Sequence, residues 1–377
     1  MPQVIYNGKV AENLAGILNE LGTKKLFLVC GNSFDRQECA AAVRELPVEL
    51  VRFSGITPNP KYEEVCEGLA RFKETGCDTI LGVGGGSYLD VAKCIKLFCR
   101  MPESENYISL PREDTGIPLI AIPTTSGTGS ESTRHAVIYY RGVKQSISHE
   151  SILPDYVILE PSVLKSLPEL QRKAPMLDAL CHAVESYWNV KSTDESKRAA
   201  AQAIRLLLSA KDVYLANTED GNAAMLQASN LAGQAINITA TTAGHAMSYK
   251  ISSMFGIPHG QAAAFCLTAV WPYLALHTDA CIDPRGEAYL KKTLDELALL
   301  FRESNATIAE PLLAAEDFQK LYDSMNFEKR PKTADKSDIE ILTASVNPER
   351  LGNFPIQMTP EVLENLYMEL VYRPEEA

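Results

Sequence analysis

Through the first 160 residues of this 377-residue chain, short aliphatic and β-branched runs alternate with amphipathic stretches. This alternation restricts the fold more than any other feature, because it is the pattern of parallel strands whose two faces are covered by the helices that connect them. Strands are expected at 26–30, 49–53, 79–83, 119–123, 136–140 and 156–159, and helices at 35–46, 62–75 and 88–98, where apolar residues recur at spacings of three and four. After Glu160-Pro161 the texture changes to long Ala- and Leu-rich segments at 173–188, 196–215 and 223–235 that carry no strand signal. The expectation is an α/β nucleotide-binding domain over 1–161 and an all-helical domain over 162–377, with helix junctions at Pro161, Pro258, Pro272 and Pro331.

Composition removes several classes of function. With 36 Lys+Arg against 48 Asp+Glu the net charge is −12, which disfavours nucleic acid as a partner. No uncharged apolar run reaches the roughly 18 residues of a membrane span, and the N-terminal stretch shows no basic leader followed by an apolar block. The chain therefore reads as soluble and cytoplasmic, with no membrane partner. Nine cysteines, an odd number with no CxxC pair, read as reduced core thiols.

Two loops suggest dinucleotide binding. In DTILGVGGGSYLDVAKCIKLF a strand passes into a helix through Gly84, Gly85, Gly86 and Ser87, leaving backbone N–H groups and a helix N-terminus free to meet an anion. The plain alternative is a tight turn with a capping box made by Ser87 and Asp90. A second small-residue loop, Thr124-Thr125-Ser126-Gly127-Thr128-Gly129-Ser130, follows the strand LIAIP, and two such loops at carboxyl ends of strands form a dinucleotide crevice.

The histidines suggest a metal. Of six in the chain, three in the helical half, His182, His245 and His259, form one pattern with an aspartate. Asp178 and His182 are four residues apart, on one face of a helix. His245 and His259 are fourteen apart, which one continuous helix would separate by roughly 21 Å. Gly256-Ile257-Pro258 between them is a helix breaker that lets the chain return. One carboxylate and three imidazoles without a thiolate suit a catalytic divalent transition metal, Fe2+, Zn2+, Co2+ or Mn2+.

Taken together these residues resemble the iron-containing (group III) alcohol dehydrogenase family over nearly the whole chain. The family pattern GGGSxxDxAK stands at Gly84 to Lys93, PTTxGTGSE at Pro123 to Glu131, DAxxHAxE at Asp178 to Glu185, and PHG at 258–260. The resemblance implies a dehydroquinate synthase-like architecture and a metal-dependent, NAD(P)-linked aldehyde reductase or alcohol dehydrogenase, with hydride moving between nicotinamide C4 and a small aldehyde held at Fe2+, or at Zn2+. It implies Asp178, His182, His245 and His259 as metal ligands. Gly85, Gly86, Ser87 and Asp90 would hold the pyrophosphate region. Thr124, Thr125 and Thr128 would line the nicotinamide, with Lys144 near its ribose and Asn59 near the coenzyme. The competing class on the same scaffold is a lyase or hydrolase with no net coenzyme turnover.

The chain departs from the family pattern in places. Where many members carry an Asp after the second strand, it has Gly31, with Asn32, Ser33 and Arg36 nearby, which favours NADP(H) over NAD(H). Tyr249 stands where some members have a histidine and is the candidate proton relay. Lys250 and Arg134 are candidates to face an anionic substrate tail. Local stretches, including SVNPERLGNFPIQMT with Arg350 and Asn353, resemble reductases of phosphonoacetaldehyde and related acidic aldehydes. Family resemblance and an N-terminal edge strand favour a homodimer.

Overall fold

A computed structural model describes residues 3–301 and 309–374. In chain order the first part contains β1 (Val4–Asn7), α1 (Val10–Leu21), β2 (Lys25–Cys30), α2 (Cys39–Arg44), β3 (Glu49–Phe53), α3 (Tyr62–Thr75), β4 (Thr79–Gly84), α4 (Gly86–Phe98), β5 (Leu119–Pro123), β6 (His135–Tyr140), β7 (Val143–Ser148) and β8 (Tyr156–Leu159). Six strands form one parallel sheet in the order β1-β8-β5-β4-β2-β3. Every residue of β4, β5 and β8 is buried, as expected of central strands covered on both faces. The chain leaves β2 towards β3 at one edge and leaves β4 towards β5 on the other side. The direction of winding thus reverses between β2 and β4, the place where open α/β sheets leave a crevice at the carboxyl ends of their strands.

Two expectations in this region are corrected. Residues 136–140 do not join the parallel sheet: β6 pairs with β7 in a separate antiparallel hairpin. The two connecting residues, Arg141 and Gly142, both have positive φ (51° and 77°), the pairing that turns a two-residue hairpin. The helix expected at 35–46 is broken into a 3-10 turn, Asn32–Arg36, and α2, with Gln37 extended between them. Asp35 stabilises the break by pairing with Arg44 and Arg52.

The second part is helical: α5 (Glu169–Trp188), α6 (Asp194–Leu215), α7 (Glu219–Thr239), α8 (Ala243–Phe255) and α9 (His259–Leu276) precede Glu287–Phe301, Pro311–Ser324, Lys336–Ala344, Pro348–Leu351 and Pro360–Val371. Its core is aromatic, with Trp271 against Trp188 (5.5 Å between ring centres), Phe301 (4.9 Å) and Phe318 (5.8 Å). This packing explains a third correction. Pro272 lies inside α9 and not at a junction, because the buried Trp271 beside it holds the helix to its neighbours across the missing N–H bond. By packing, the chain divides into two compact units, Met1–Leu167 with Asp212–Gly233, and Pro168–Lys211 with Gln234–Ala377. All nine cysteines are free and seven are buried. Among the described residues no helix is long and apolar enough to cross a membrane.

Candidate active site

In the first unit, Gly84 and Pro123 are paired across β4 and β5, so the two loops start side by side, and Thr124 N–H donates to Gly84 C=O at 3.0 Å. Gly85 is the N-cap of α4 and no side chain caps that end. An added Cβ on Gly85 would lie 3.3 Å from the Thr125 methyl, and one on Gly86 would lie 3.0 Å from the Thr128 methyl. Small residues are therefore favoured where the threonine loop closes on the helix start. The capping box of the plain alternative is absent, since Asp90 turns elsewhere. Its carboxylate accepts from Ser130 Oγ at 2.6 Å and from Val137 N–H at 2.9 Å, and burial raises its pKa. Both oxygens being engaged, Asp90 ties the threonine loop and β6 to α4.

The buried Lys93 completes that tie: its ammonium donates to Ser130 Oγ (2.9 Å), Thr133 Oγ1 (3.1 Å) and His135 C=O (2.8 Å), and burial brings its pKa down to about 8. On the other side Asn230 of α7 donates to Ser132 Oγ at 2.5 Å, and Ser126 Oγ meets the Tyr214 hydroxyl of α6 at 2.9 Å. Gly129, with φ of 58°, is seated so closely on Gly233 that a Cβ would stand 2.5 Å from its Cα. Lys144 lies on β7 opposite Tyr139. Asn59, with φ of 59°, precedes Pro60, whose carbonyl accepts from Tyr139 N–H at 2.8 Å, so the Asn59 loop and the hairpin are joined. At the end of β2, Arg52 donates to Gly31 C=O at 3.0 Å, and a Cβ on Gly31 would lie 2.5 Å from the Tyr88 hydroxyl.

The second unit brings four side chains together. Asp178 and His182 lie on one face of α5, His245 in the first turn of α8 and His259 at the start of α9. Gly256 ends α8 in the left-handed conformation and Pro258 is the N-cap of α9, so the chain reverses and the His245 and His259 rings come within 5.4 Å. From Asp178 Oδ1 the distances are 3.3 Å to His245 Nε2, 3.9 Å to His182 Nε2 and 3.9 Å to His259 Nε2. Donors around one ion at 2.0–2.2 Å in a tetrahedral set stand about 3.4 Å apart; the ligand atoms of Asp178, His245 and His259 all lie within 4.8 Å of one another, so their spacing and the chemistry of the whole group suit a divalent transition metal, with His182 beside Asp178. Asp178, His182 and His245 are buried, whereas the His259 side chain is 41% exposed, which leaves the group open on one side.

Electrostatics agree with a cation-seeking pocket. Burial by itself would raise Asp178, yet His182, His259 and His245 hold it well below the usual carboxylate range. Burial likewise works against a charged His245, but Glu185 and Asp178 hold its pKa up to about 10. Glu185, which sequence reasoning gave no role, accepts from His245 Nδ1 at 2.5 Å. Its signal was its place, seven residues after Asp178 on the same helix face. The Tyr249 ring is stacked on that of His259, 5.5 Å between centres and 7° from parallel. Arg134 pairs with the exposed Glu150, and Asn353 donates to Thr241 C=O at 3.1 Å, so these two are engaged in local structure.

Comparison with known proteins is consistent with this geometry. The family model described as "Iron-containing alcohol dehydrogenase" matches residues 2–161, and "Fe-containing alcohol dehydrogenase family, C-terminal" matches residues 173–371. The chain belongs to the iron-containing alcohol dehydrogenase family. It is thus an oxidoreductase acting on CH–OH groups. A probable alcohol dehydrogenase, EutG, of Escherichia coli (strain K12) is 35% identical over 291 residues, 73% of this chain and 72% of that protein. The 1,3-propanediol dehydrogenase of Klebsiella pneumoniae is 34% identical over 287 residues, 72% of this chain and 74% of the relative. Among solved structures, a sulfoacetaldehyde reductase from Bifidobacterium kashiwanohense in complex with NAD+ superposes with a TM-score of 0.86, covering 98% of this chain and 97% of that one. At 24% identity this last likeness speaks for the fold alone.

Proposed function

We propose that the chain is an NADP(H)-linked reductase of small aldehydes, acting in reverse as an alcohol dehydrogenase, with Asp178, His182, His245 and His259 holding Fe2+ or Zn2+. The observation that carries this reading is the convergence of one carboxylate and three imidazole nitrogens within 3.9 Å of Asp178 Oδ1. When bound, the divalent ion supplies Lewis acidity and the dinucleotide supplies the hydride. Residues 1–161 take the coenzyme and 162–377 the metal and substrate. The uncapped start of α4 receives the pyrophosphate, and Thr124, Thr125 and Thr128, held by the Asp90 and Lys93 network, line the nicotinamide. Lys144 and Asn59 flank it from the hairpin side.

Reduction of an aldehyde consumes one proton as well as one hydride. Stacking of the Tyr249 ring on His259 supports Tyr249 as the residue that passes that proton. NADP(H) is supported at the end of β2: Gly31 itself bears no carboxylate to repel a 2′-phosphate, and the Arg52 guanidinium, which also pairs with Asp35, lies against the Gly31 carbonyl. Aldehydes with a phosphonate or sulfonate tail are the branch to test first, with Lys250 as the cation next to Tyr249 in sequence. A homodimer is the proposed assembly.

The test is metal-reconstituted protein offered short aldehydes, with and without acidic tails, and both reduced nicotinamides. Stoichiometric loss of reduced-nicotinamide absorbance is expected. Metal-loaded protein that leaves this absorbance unchanged with every aldehyde overturns the reading in favour of a lyase or hydrolase. His259→Ala should lose metal and turnover and keep coenzyme binding; a variant that keeps its metal contradicts the ligand assignment.

A further inference from the structure

Glu185 closes the DALCHAVE stretch of α5, two helical turns after Asp178 and three residues after His182, so all three project from one face. Its side chain is fully buried. Oε1 accepts the backbone N–H of His245 at 3.1 Å; Oε2 meets His245 Nδ1 at 2.5 Å and accepts Thr242 N–H at 3.3 Å. One carboxylate therefore satisfies the first turn of α8 and the imidazole that this turn carries. Gly244 is small for the same reason: a Cβ there would stand 2.7 Å from Glu185 Oε1.

The bond at Nδ1 decides how the ring is presented. A carboxylate only accepts, so Nδ1 keeps its proton, and when the ring gives up the other one the Nε2 lone pair faces Asp178 Oδ1, 3.3 Å away. Either a proton on Nε2 or a metal ion satisfies both atoms at that distance, and the metal takes the place of that proton. We propose that Glu185 is a positioning residue of the metal centre, which fixes the tautomer and ring plane of His245 so that Nε2 is offered as a ligand. The inference rests on the metal reading given above and extends it to a residue that does not touch the ion. Outer partners of this kind contribute roughly 10- to 100-fold in metal affinity.

The experiment compares metal-free full-length wild type and Glu185→Gln by calorimetric titration with Co2+ and by thermal melting, with Glu185→Asp as the conservative variant. A Co2+ dissociation constant raised about 10- to 100-fold in Glu185→Gln and partly restored in Glu185→Asp is the expected result. Unchanged Co2+ affinity in Glu185→Gln, including a variant that melts earlier yet binds as wild type does, overturns it. Wild type that takes up no Co2+ instead overturns the metal reading, and the role of Glu185 with it. Should Glu185→Gln not fold, histidine 15N NMR of Zn2+-loaded wild type decides: His245 is expected to carry its proton on Nδ1, and a proton on Nε2 overturns the proposal.

Discussion

Gly260→Ala is the most demanding test of how this centre is assembled. Gly260 is the second residue of α9, directly after His259, and it packs on α5. A Cβ at this position would stand 2.1 Å from the Ala174 carbonyl oxygen and 2.7 Å from Asp178 Cβ. Ordinary contact begins at 3.4 Å, so the first clash falls about 1.3 Å short, and the carbonyl it meets is backbone that cannot swing away as a flexible side chain would. The start of α9 must therefore move by on the order of 1 Å and take His259 with it. Metal–ligand distances tolerate only about 0.2 Å, so the shift is several times what the proposed ligand set can absorb. Global stability changes much less, because overpacking costs about 1–3 kcal/mol while Ala gains about 1 kcal/mol over Gly in a helix. The expected outcome is a folded protein whose Co2+ affinity falls by at least about tenfold, measured by titration of the metal-free form. Gly16→Ala is the control: this exposed glycine of α1 has nothing within 4 Å of an added Cβ, and the change should stabilise by about 0.5–1 kcal/mol. A Gly260→Ala protein that binds Co2+ as wild type does would refute the claim that close approach of α9 to α5 sets the position of His259.

Three further outcomes are expected. His245, held up to about 10 in the metal-free protein, must release its proton to ligate, so Co2+ affinity should fall close to tenfold for each unit that pH drops from 8 to 6; titrations at three pH values would expose a flat profile. Burial raises the thiols of Cys39 (to about 12), Cys94, Cys181 and Cys266 from 9.0. Because these folded-state values lie above the unfolded one, their contribution to stability is complete below pH 9 and is lost as pH rises further. Lys93, lowered to about 8, acts in the opposite sense, but it is one group against four, so the urea midpoint under reducing conditions should fall between pH 9 and 11. Arg52→Gln should raise KM for NADPH about tenfold relative to NADH, the worth of a partly exposed charge-assisted contact; an unchanged ratio of the two KM values removes Arg52 from 2′-phosphate recognition. Substituting Gly31 is a poorer probe of the same point, since any side chain there collides with Tyr88.

Much of the fold and half of the site's logic were legible in local patterns. The positions of β3, β5, β8 and α3 follow from alternation and helical periodicity, and Gly256-Ile257-Pro258 announced the reversal that joins His245 to His259. Turn chemistry is less legible: Arg141-Gly142 is not among the strongest hairpin signals, so by pattern alone β6 resembles one more parallel strand. In the sequence Pro272 signals a break because proline acts locally, whereas Trp271 and its aromatic neighbours act across the helical unit.

By itself the sequence determined the change from an α/β to a helical texture, the glycine turn at the end of β4, and the Asp178/His182 pair, because each is a statement about residues within a few positions of one another. Tertiary structure alone decided that Asp90 and Lys93 brace the threonine loop, that Glu185 reaches His245 sixty residues on, and that Gly260 must be bare where α9 meets α5. These contacts join segments whose separation along the chain carries no periodic signal. They exist only because close packing leaves room for one arrangement of the buried polar groups, and each such group must find its partner within it.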